Sequence, residues 1–175
     1  ELCFASGKFL AEEFDRLFAS LFAKHHNHVR IVRALASAPK GLTRSDILLK
    51  TGLPDGGNST LYLNELEQSG FIMFVPEYGR KKRGRFYRLS DEYSLFYLKW
   101  IDPLSQAISA GIEPDYWMRQ SQRPTWPAWA GYAFEGLCIK HIGEIKRALG
   151  IAGVMTREFT WECRSDRTSD RRGAQ

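Results

Sequence analysis

Cysteine is scarce in this chain of 175 residues, which has only Cys3, Cys138 and Cys163, far apart and odd in number. Such a set predicts neither a disulfide framework nor a cysteine-based metal site, and it favours a reducing, cytoplasmic compartment. The sequence also lacks an apolar run long enough to span a bilayer, and it has no signal peptide. We therefore expect neither a secreted disulfide scaffold nor a membrane protein.

Motifs for catalysis are missing as well. No nucleophile elbow surrounds a serine, and no glycine-rich phosphate loop precedes a helix. His25, His26 and His28 suggest a metal site, but residues at these spacings cannot all face one ion from a regular helix. No neighbouring Cys or carboxylate pattern completes such a site, so we do not predict one there.

The composition is that of a folded, moderately basic protein. With 43% hydrophobic and 13% aromatic residues the chain can bury a core. Its formal net charge of +5 favours polyanionic partners. The chain does not begin with Met, opens within an apolar pattern and stops abruptly at Gln175. We therefore expect it to be a piece of a longer protein.

Two helices are predicted at the start of the chain. Apolar residues spaced by three and four predict an amphipathic linking helix within residues 1–24. A second helix is predicted to start at Asn27, whose side chain is a suitable N-cap. The apolar stripe of the first helix consists of Leu10, Phe14, Leu17, Phe18, Leu21 and Phe22.

Two further helices and a hairpin follow. Thr43 and Asp46 form the pattern of a capping box at the start of a short helix. The next helix runs from Asn58 to about Gly70 and is expected to bury Tyr62, Leu63 and Leu66. Two runs rich in β-forming residues, 71–75 and 85–89, predict strands joined by a charged tip. This order of elements is typical of a winged helix, which we assign to residues 25–92.

The remainder of the chain is also predicted to be mostly helical. Residues 93–124 are expected to form a helical connector, and a long helix is expected from Thr125 to Gly150. Residues 154–164 predict a strand. Together these elements give a mainly α, α+β fold. The apolar stripe of the long helix, expected to face a core, is Phe134, Leu137, Cys138, His141, Ile142, Ile145 and Leu149.

The charged hairpin tip is the strongest candidate site. It carries five cations among six residues, and one more lies further along the second strand. This pattern favours a phosphate backbone because each neutralised phosphate releases counterions. A hairpin tip is polar in any protein, and lysines often protect edge strands, so a purely structural role stays open. The cations are Arg80, Lys81, Lys82, Arg83, Arg85 and Arg88.

The helix before the hairpin gives mixed indications. Asn64 and Gln68 on its outward face can contact adenine edges, and residues 58–60 at its start are suited to hold a phosphate. The negative charges of Glu65 and Glu67 disfavour binding of a polyanion, and the helix has no Arg or Lys. We therefore expect mostly sequence-independent contact with nucleic acid. A protein-docking role is equally compatible with this helix.

Several segments resemble the C-terminal region of a prokaryotic AAA+ (P-loop) ATPase family, and the resemblance covers essentially the whole chain. The segments are 70–72, Tyr87–Tyr97, Trp129–Glu135, 140–142, Ile145–Ile151 and 173–175. In that family a P-loop ATPase precedes a winged helix, which a PD-(D/E)xK nuclease-like domain follows. The resemblance implies that residues 1–24 link to an ATPase part and that 125–175 begin a restriction-endonuclease-like domain, incomplete in this chain.

Glu135 takes its candidate role from this resemblance. It matches the family's helix glutamate that helps to hold a divalent metal, whereas pattern alone favours a solvated helix residue. This chain has no P-loop, so we expect no ATP hydrolysis from it. A metal-dependent hydrolase needs several carboxylates together, so we expect no DNA cleavage either. ATP and a divalent metal are implied for the intact parent, either as an ATPase alone or also as a nuclease.

The sequence therefore leaves two kinds of partner open, nucleic acid and protein. The basic tip favours DNA, and the acidic helix favours a protein, either the parent's own ATPase domain or a second copy of the chain. A membrane partner is not expected.

Overall fold

The structure is a computed structural model that describes residues 9–76, 85–104 and 115–156. Within these ranges the chain is mainly helical, with one small antiparallel sheet. The α-helices are α1 (Phe9–Leu21), α2 (His25–Ala36), α3 (Arg44–Thr51), α4 (Gly57–Gln68), α5 (Glu92–Phe96), α6 (Tyr116–Ser121), α7 (Thr125–Lys140) and α8 (Ile142–Ala148). Helix α5 is followed directly by a π-helix (Tyr97–Ile101) and a 3-10 helix (Asp102–Leu104). The strands are β1 (Leu42–Thr43), β2 (Ile72–Pro76) and β3 (Arg85–Leu89).

Helix α1 contributes buried phenylalanine side chains to one side of the core. Phe14 and Phe18 are fully buried; Phe14 stacks on Tyr97 with ring centroids 4.4 Å apart, and Phe18 packs on Phe71 at 4.6 Å. Phe22 is also buried and Leu17 is partly buried, so the predicted stripe is confirmed at these four positions, whereas the side chain of Leu10 lies outside the described residues. Leu21 is an exception because its side chain is 53% exposed at the end of the helix.

The N-cap of helix α2 lies three residues earlier than predicted. Asn27 is not its N-cap, because its backbone N–H already bonds to the carbonyl of Lys24 inside the first turn. Lys24 occupies the cap position without a side-chain hydrogen bond. The buried face of α2 presents Ile31, Val32 and Leu35 to the core.

The capping box at α3 is confirmed. The Thr43 side chain accepts from the Asp46 backbone N–H, and the Asp46 carboxylate accepts from the Thr43 N–H. Helix α4 then buries Tyr62, Leu63 and Leu66, as predicted. The start of α3 and the buried face of α4 are therefore as predicted.

The sheet has the order β1-β3-β2, with both neighbouring pairs antiparallel. Sequence periodicity predicts β2 and β3 but does not predict β1, which has only two residues. Leu42 pairs with Tyr87 on β3, and Phe74 on β2 pairs with the same residue from the other side. The central strand β3 thus joins the segment before α3 to the hairpin.

The long C-terminal helix differs from its prediction. It is interrupted at His141 and forms α7 and α8. The predicted apolar stripe does not face a core: Phe134 is 66% exposed and Leu137 is 41% exposed. α7 packs through another side, where Trp129 and Ala133 line a small cavity with Leu35 and Leu89.

The predicted strand at 154–164 falls mainly outside the described residues. Its first three positions, 154–156, are described and form no strand.

Within 9–76, 85–104 and 115–156, no helix combines the length and apolarity needed to cross a membrane.

Candidate nucleic-acid interface

The hairpin holds the basic segment between two paired residues. Pro76 at the end of β2 pairs with Arg85 at the start of β3, so residues 77–84 must connect the strands at this end of the sheet. Arg80, Lys81, Lys82 and Arg83 lie outside the described residues, and only the backbone of Arg85 is described. The antiparallel register nevertheless fixes where the segment leaves and re-enters the fold.

The excess positive charge of the chain is concentrated at residues 80–85, called the basic connection below. Five of the six residues from Arg80 to Arg85 are cationic, and the net charge of the whole chain is also +5. The other 20 of the 25 Lys and Arg residues are balanced by 20 Asp and Glu residues. A balanced body with one basic connection favours a polyanion at that connection.

Many cations elsewhere in the described ranges are already paired with carboxylates. Arg33 forms a two-pronged contact with Asp102, at 2.5 and 2.8 Å, and this hydrogen bond raises the pKa of Arg33 despite partial burial. Such pairing leaves little excess charge on the body of the fold. Further pairs are Arg44–Asp55, Arg119–Asp115, Lys140–Glu92 and Arg147–Glu144.

The outward face of α4 is polar, as predicted. Asn64 and Gln68 are exposed, as is Glu67. Glu65 is turned partly inward, where its carboxylate lies 2.7 Å from Nε2 of the buried His28. Only one of the two acids on α4 therefore faces solvent fully.

The start of α4 corrects one expectation. Ser59 is buried, and its hydroxyl donates to the carbonyl of Pro54 at 2.7 Å. The Thr60 hydroxyl donates to the carbonyl of Gly56 at 3.3 Å. Ser59 is therefore not on the surface where a phosphate would approach, whereas Asn58 remains exposed.

Arg88 lies apart from the basic connection. Its side chain is only 5% exposed, and Nη1 donates to Oε1 of Glu135 on α7 at 2.7 Å. The structure thus brings together two residues that the sequence predicts for separate sites. In this arrangement the Arg88 guanidinium is turned away from solvent and does not add to the basic surface.

The surroundings of Glu135 do not fit a divalent metal ion. A cation already binds its carboxylate, and an ion of charge +2 beside the buried Arg88 would be repelled. Within the described ranges no group of three or more His, Cys, Asp or Glu side chains could hold a metal. Instead, Glu135 forms an ion pair with Arg88, and apolar residues surround the Arg88 side chain.

A second ion pair and a cluster of tryptophans also hold α7. Nζ of Lys140 lies 2.8 and 2.9 Å from the two carboxylate oxygens of Glu92. Burial acts to raise the pKa of Glu92, but the hydrogen bond from Lys140, a backbone hydrogen bond and the nearby charges of Lys140 and His141 together outweigh it and hold the pKa below its ordinary value. The clustered rings are Trp100, Trp117, Trp126 and Trp129, with neighbouring centroids 5.0–5.9 Å apart.

Sequence reasoning missed both ion pairs of α7 and the contact between His28 and Glu65. Their partners lie between 37 and 48 residues apart along the chain. The local sequence around a glutamate outside the apolar stripe of its helix does not indicate that a cation from a distant element will bind it. The tryptophan-rich start of α7 is a local sign that this end of the helix packs against other elements.

Comparison with known proteins gives no relative: the chain has no significant match to a protein-family model, a curated protein or a solved structure.

Proposed function

We propose that residues 25–92 form a winged helix whose basic connection between β2 and β3 binds nucleic acid with little sequence preference. The order α2-β1-α3-α4-β2-β3 with the central strand β3 supports this assignment. The observation that carries the proposal is that Arg80–Arg85 holds a charge equal to the net charge of the chain.

The proposed contact consists of Arg80, Lys81, Lys82, Arg83 and Arg85. Arg88 is left out because its guanidinium is buried against Glu135. Asn64 and Gln68 are exposed on α4 and would add weak contacts to base edges. With no Arg or Lys on α4, phosphate contacts at the basic connection contribute most of the binding free energy.

The wider setting rests on the family resemblance. We propose that this region belongs to a cytoplasmic AAA+ type ATPase, in which the winged helix contacts nucleic acid and residues 125–175 begin a nuclease-like domain. ATP hydrolysis would then take place in the P-loop part of the parent.

A salt series tests the nucleic-acid proposal. Binding of a short fluorescein-labelled duplex of mixed sequence is measured by anisotropy at increasing KCl concentration. Five phosphate contacts give a slope of log K against log salt of about −4 to −5. Replacing Arg80, Lys81, Lys82 and Arg83 by Ala is expected to reduce the slope by about 0.9 per removed contact.

A matched control removes the same number of charges elsewhere. Arg119, Arg123, Lys146 and Arg147, around α6 and α8, are replaced by Ala, and binding is expected to stay close to that of the parent chain. No detectable binding at low salt, or equal losses in both variants, would contradict the proposal.

A second candidate function is docking of another copy of the chain. The exposed apolar side of α7 and α8, which includes Phe134, Leu137 and Leu149, is the observation that favours it. Sedimentation should then show a concentration-dependent dimer that Phe134→Ser/Leu137→Ser dissociates. Met118→Ser, at another exposed apolar residue, is the control, and a monomer at all concentrations excludes this function.

A further inference from the structure

The contact between Arg88 and Glu135 is built as part of an interior. Arg88 is 5% exposed, and the aliphatic part of its side chain lies close to Gly41. It lines a cavity of about 30 Å³ together with Leu35, Leu89 and Trp129. A guanidinium held in such surroundings has lost much of its hydration and needs an anionic acceptor.

Glu135 supplies that acceptor from another helix. Its Oε1 lies 2.7 Å from Nη1 of Arg88, while the side chain remains 47% exposed. The more exposed partner can reach solvent, whereas the buried partner cannot. Removing the carboxylate would therefore leave a buried cation without compensation.

The position of this pair along α7 gives it a specific task. The first turns of α7 pack against Trp100 through the aromatic cluster. Lys140, the last residue of α7, pairs with Glu92. Between these contacts, the Arg88–Glu135 pair joins the helix to the central strand β3.

We infer that Glu135 is the residue that docks α7 onto β3 through Arg88, and that it is not a ligand of a divalent metal ion. Both roles need the same carboxylate oxygens, and the buried guanidinium already binds one of them. A divalent ion on the other oxygen would lie beside the buried Arg88 cation and be repelled by it. The inference stands independently of nucleic-acid binding.

Hydrogen exchange of the full 175-residue chain tests the docking role. Glu135→Gln, Arg88→Met and the double variant are compared with the parent chain. Each single variant is expected to lower amide protection in α7 by about tenfold or more. Protection in α2 to α4 is expected to be retained, and the double variant should lose less than the product of the single effects.

A control and a conservative variant sharpen the result. Glu144→Gln removes a carboxylate from an exposed pair with Arg147 on α8 and is expected to leave the protection of α7 unchanged. Glu135→Asp keeps the charge and is expected to fall between the parent chain and Glu135→Gln. If Arg88→Met does not fold, the two variants of Glu135 still decide the outcome.

Binding of Mn²⁺ tests the excluded role directly. The parent chain and Glu135→Gln are titrated with Mn²⁺ and followed by electron paramagnetic resonance, and both are expected to give the same curve. The inference is overturned if Glu135→Gln abolishes a Mn²⁺ site of the parent chain. It is also overturned if Glu135→Gln leaves the protection of α7 unchanged.

Discussion

The imidazole of His28 on α2 and the carboxylate of Glu65 on α4 meet in the core, with Nε2 and Oε2 2.7 Å apart. The ring stacks on Phe22 with centroids 4.0 Å apart and lies edge-on to Tyr62 at 5.1 Å. The third histidine of the early cluster therefore connects two helices. It also holds one acid of α4 partly away from the surface.

Replacing His28 by Ala is expected to destabilise the fold strongly. The change removes a buried ring from an aromatic stack and leaves Glu65 without its partner, which should lower the free energy of unfolding by about 2–4 kcal/mol. Urea unfolding followed by circular dichroism measures the loss. His26→Ala, at an exposed neighbour, should change it by less than about 0.5 kcal/mol, and equal effects would refute this account.

Thr43→Ala is expected to remove the capping box of α3. The N–H of Asp46 loses its acceptor, and the Asp46 side chain loses the hydroxyl that donates to it at 2.6 Å. A loss of about 1–2 kcal/mol in the free energy of unfolding should follow. Ser45→Ala, two residues further on and exposed, is the matched control. Its effect should be small.

Local patterns explain why this part of the fold was predictable. The pair Thr43 and Asp46 defines the start of α3 within four residues, and the spacing of Tyr62, Leu63 and Leu66 defines the buried face of α4. The two runs of β-forming residues after Gly70 likewise predict the hairpin. None of these inferences needs a partner from a distant part of the chain.

Gly41→Ala is expected to disturb the junction of β1 and β3. Gly41 has a φ of +96°, which side chains rarely adopt, and a Cβ there would lie 2.9 Å from the carbonyl oxygen of Tyr87. We expect a loss of at least about 1–3 kcal/mol in the free energy of unfolding. Urea unfolding measures this loss. Gly143→Ala, where a Cβ meets nothing within 4 Å, should be neutral or stabilising in the same assay.

The Lys140–Glu92 pair predicts a dependence of stability on acid. The pKa of Glu92 is lowered in the folded state, so its stabilising contribution is present above the unfolded pKa of about 4.3. The contribution is lost as pH falls through the folded value. Because the pair is exposed, it should amount to less than about 1 kcal/mol.

Unfolding by urea at a series of pH values checks this dependence. Glu92→Gln and Lys140→Met should both flatten the decline in stability on the acid side, since each removes the same contact. A variant that keeps the full decline of the parent chain would show that other carboxyl groups cause it.

Distant contacts account for what the sequence did not predict. β1 is too short for a periodicity and forms only because β3 offers it a partner. Helix α7 has apolar residues on two sides, and its packing side is decided by Trp100 and Leu35, which lie on other elements. The roles of Arg88 and Glu135 could not be predicted for the same reason, since each depends on the other.

The placement of charge has a consequence for how the protein would meet another molecule. A neutral body with all of its excess charge at one hairpin is an electric dipole, so the field of a polyanion exerts a torque as well as an attraction. The molecule would be turned with β2 and β3 foremost before contact occurs. Its orientation on any negatively charged surface would therefore be selected during the approach, and less so as salt shortens the range of the field.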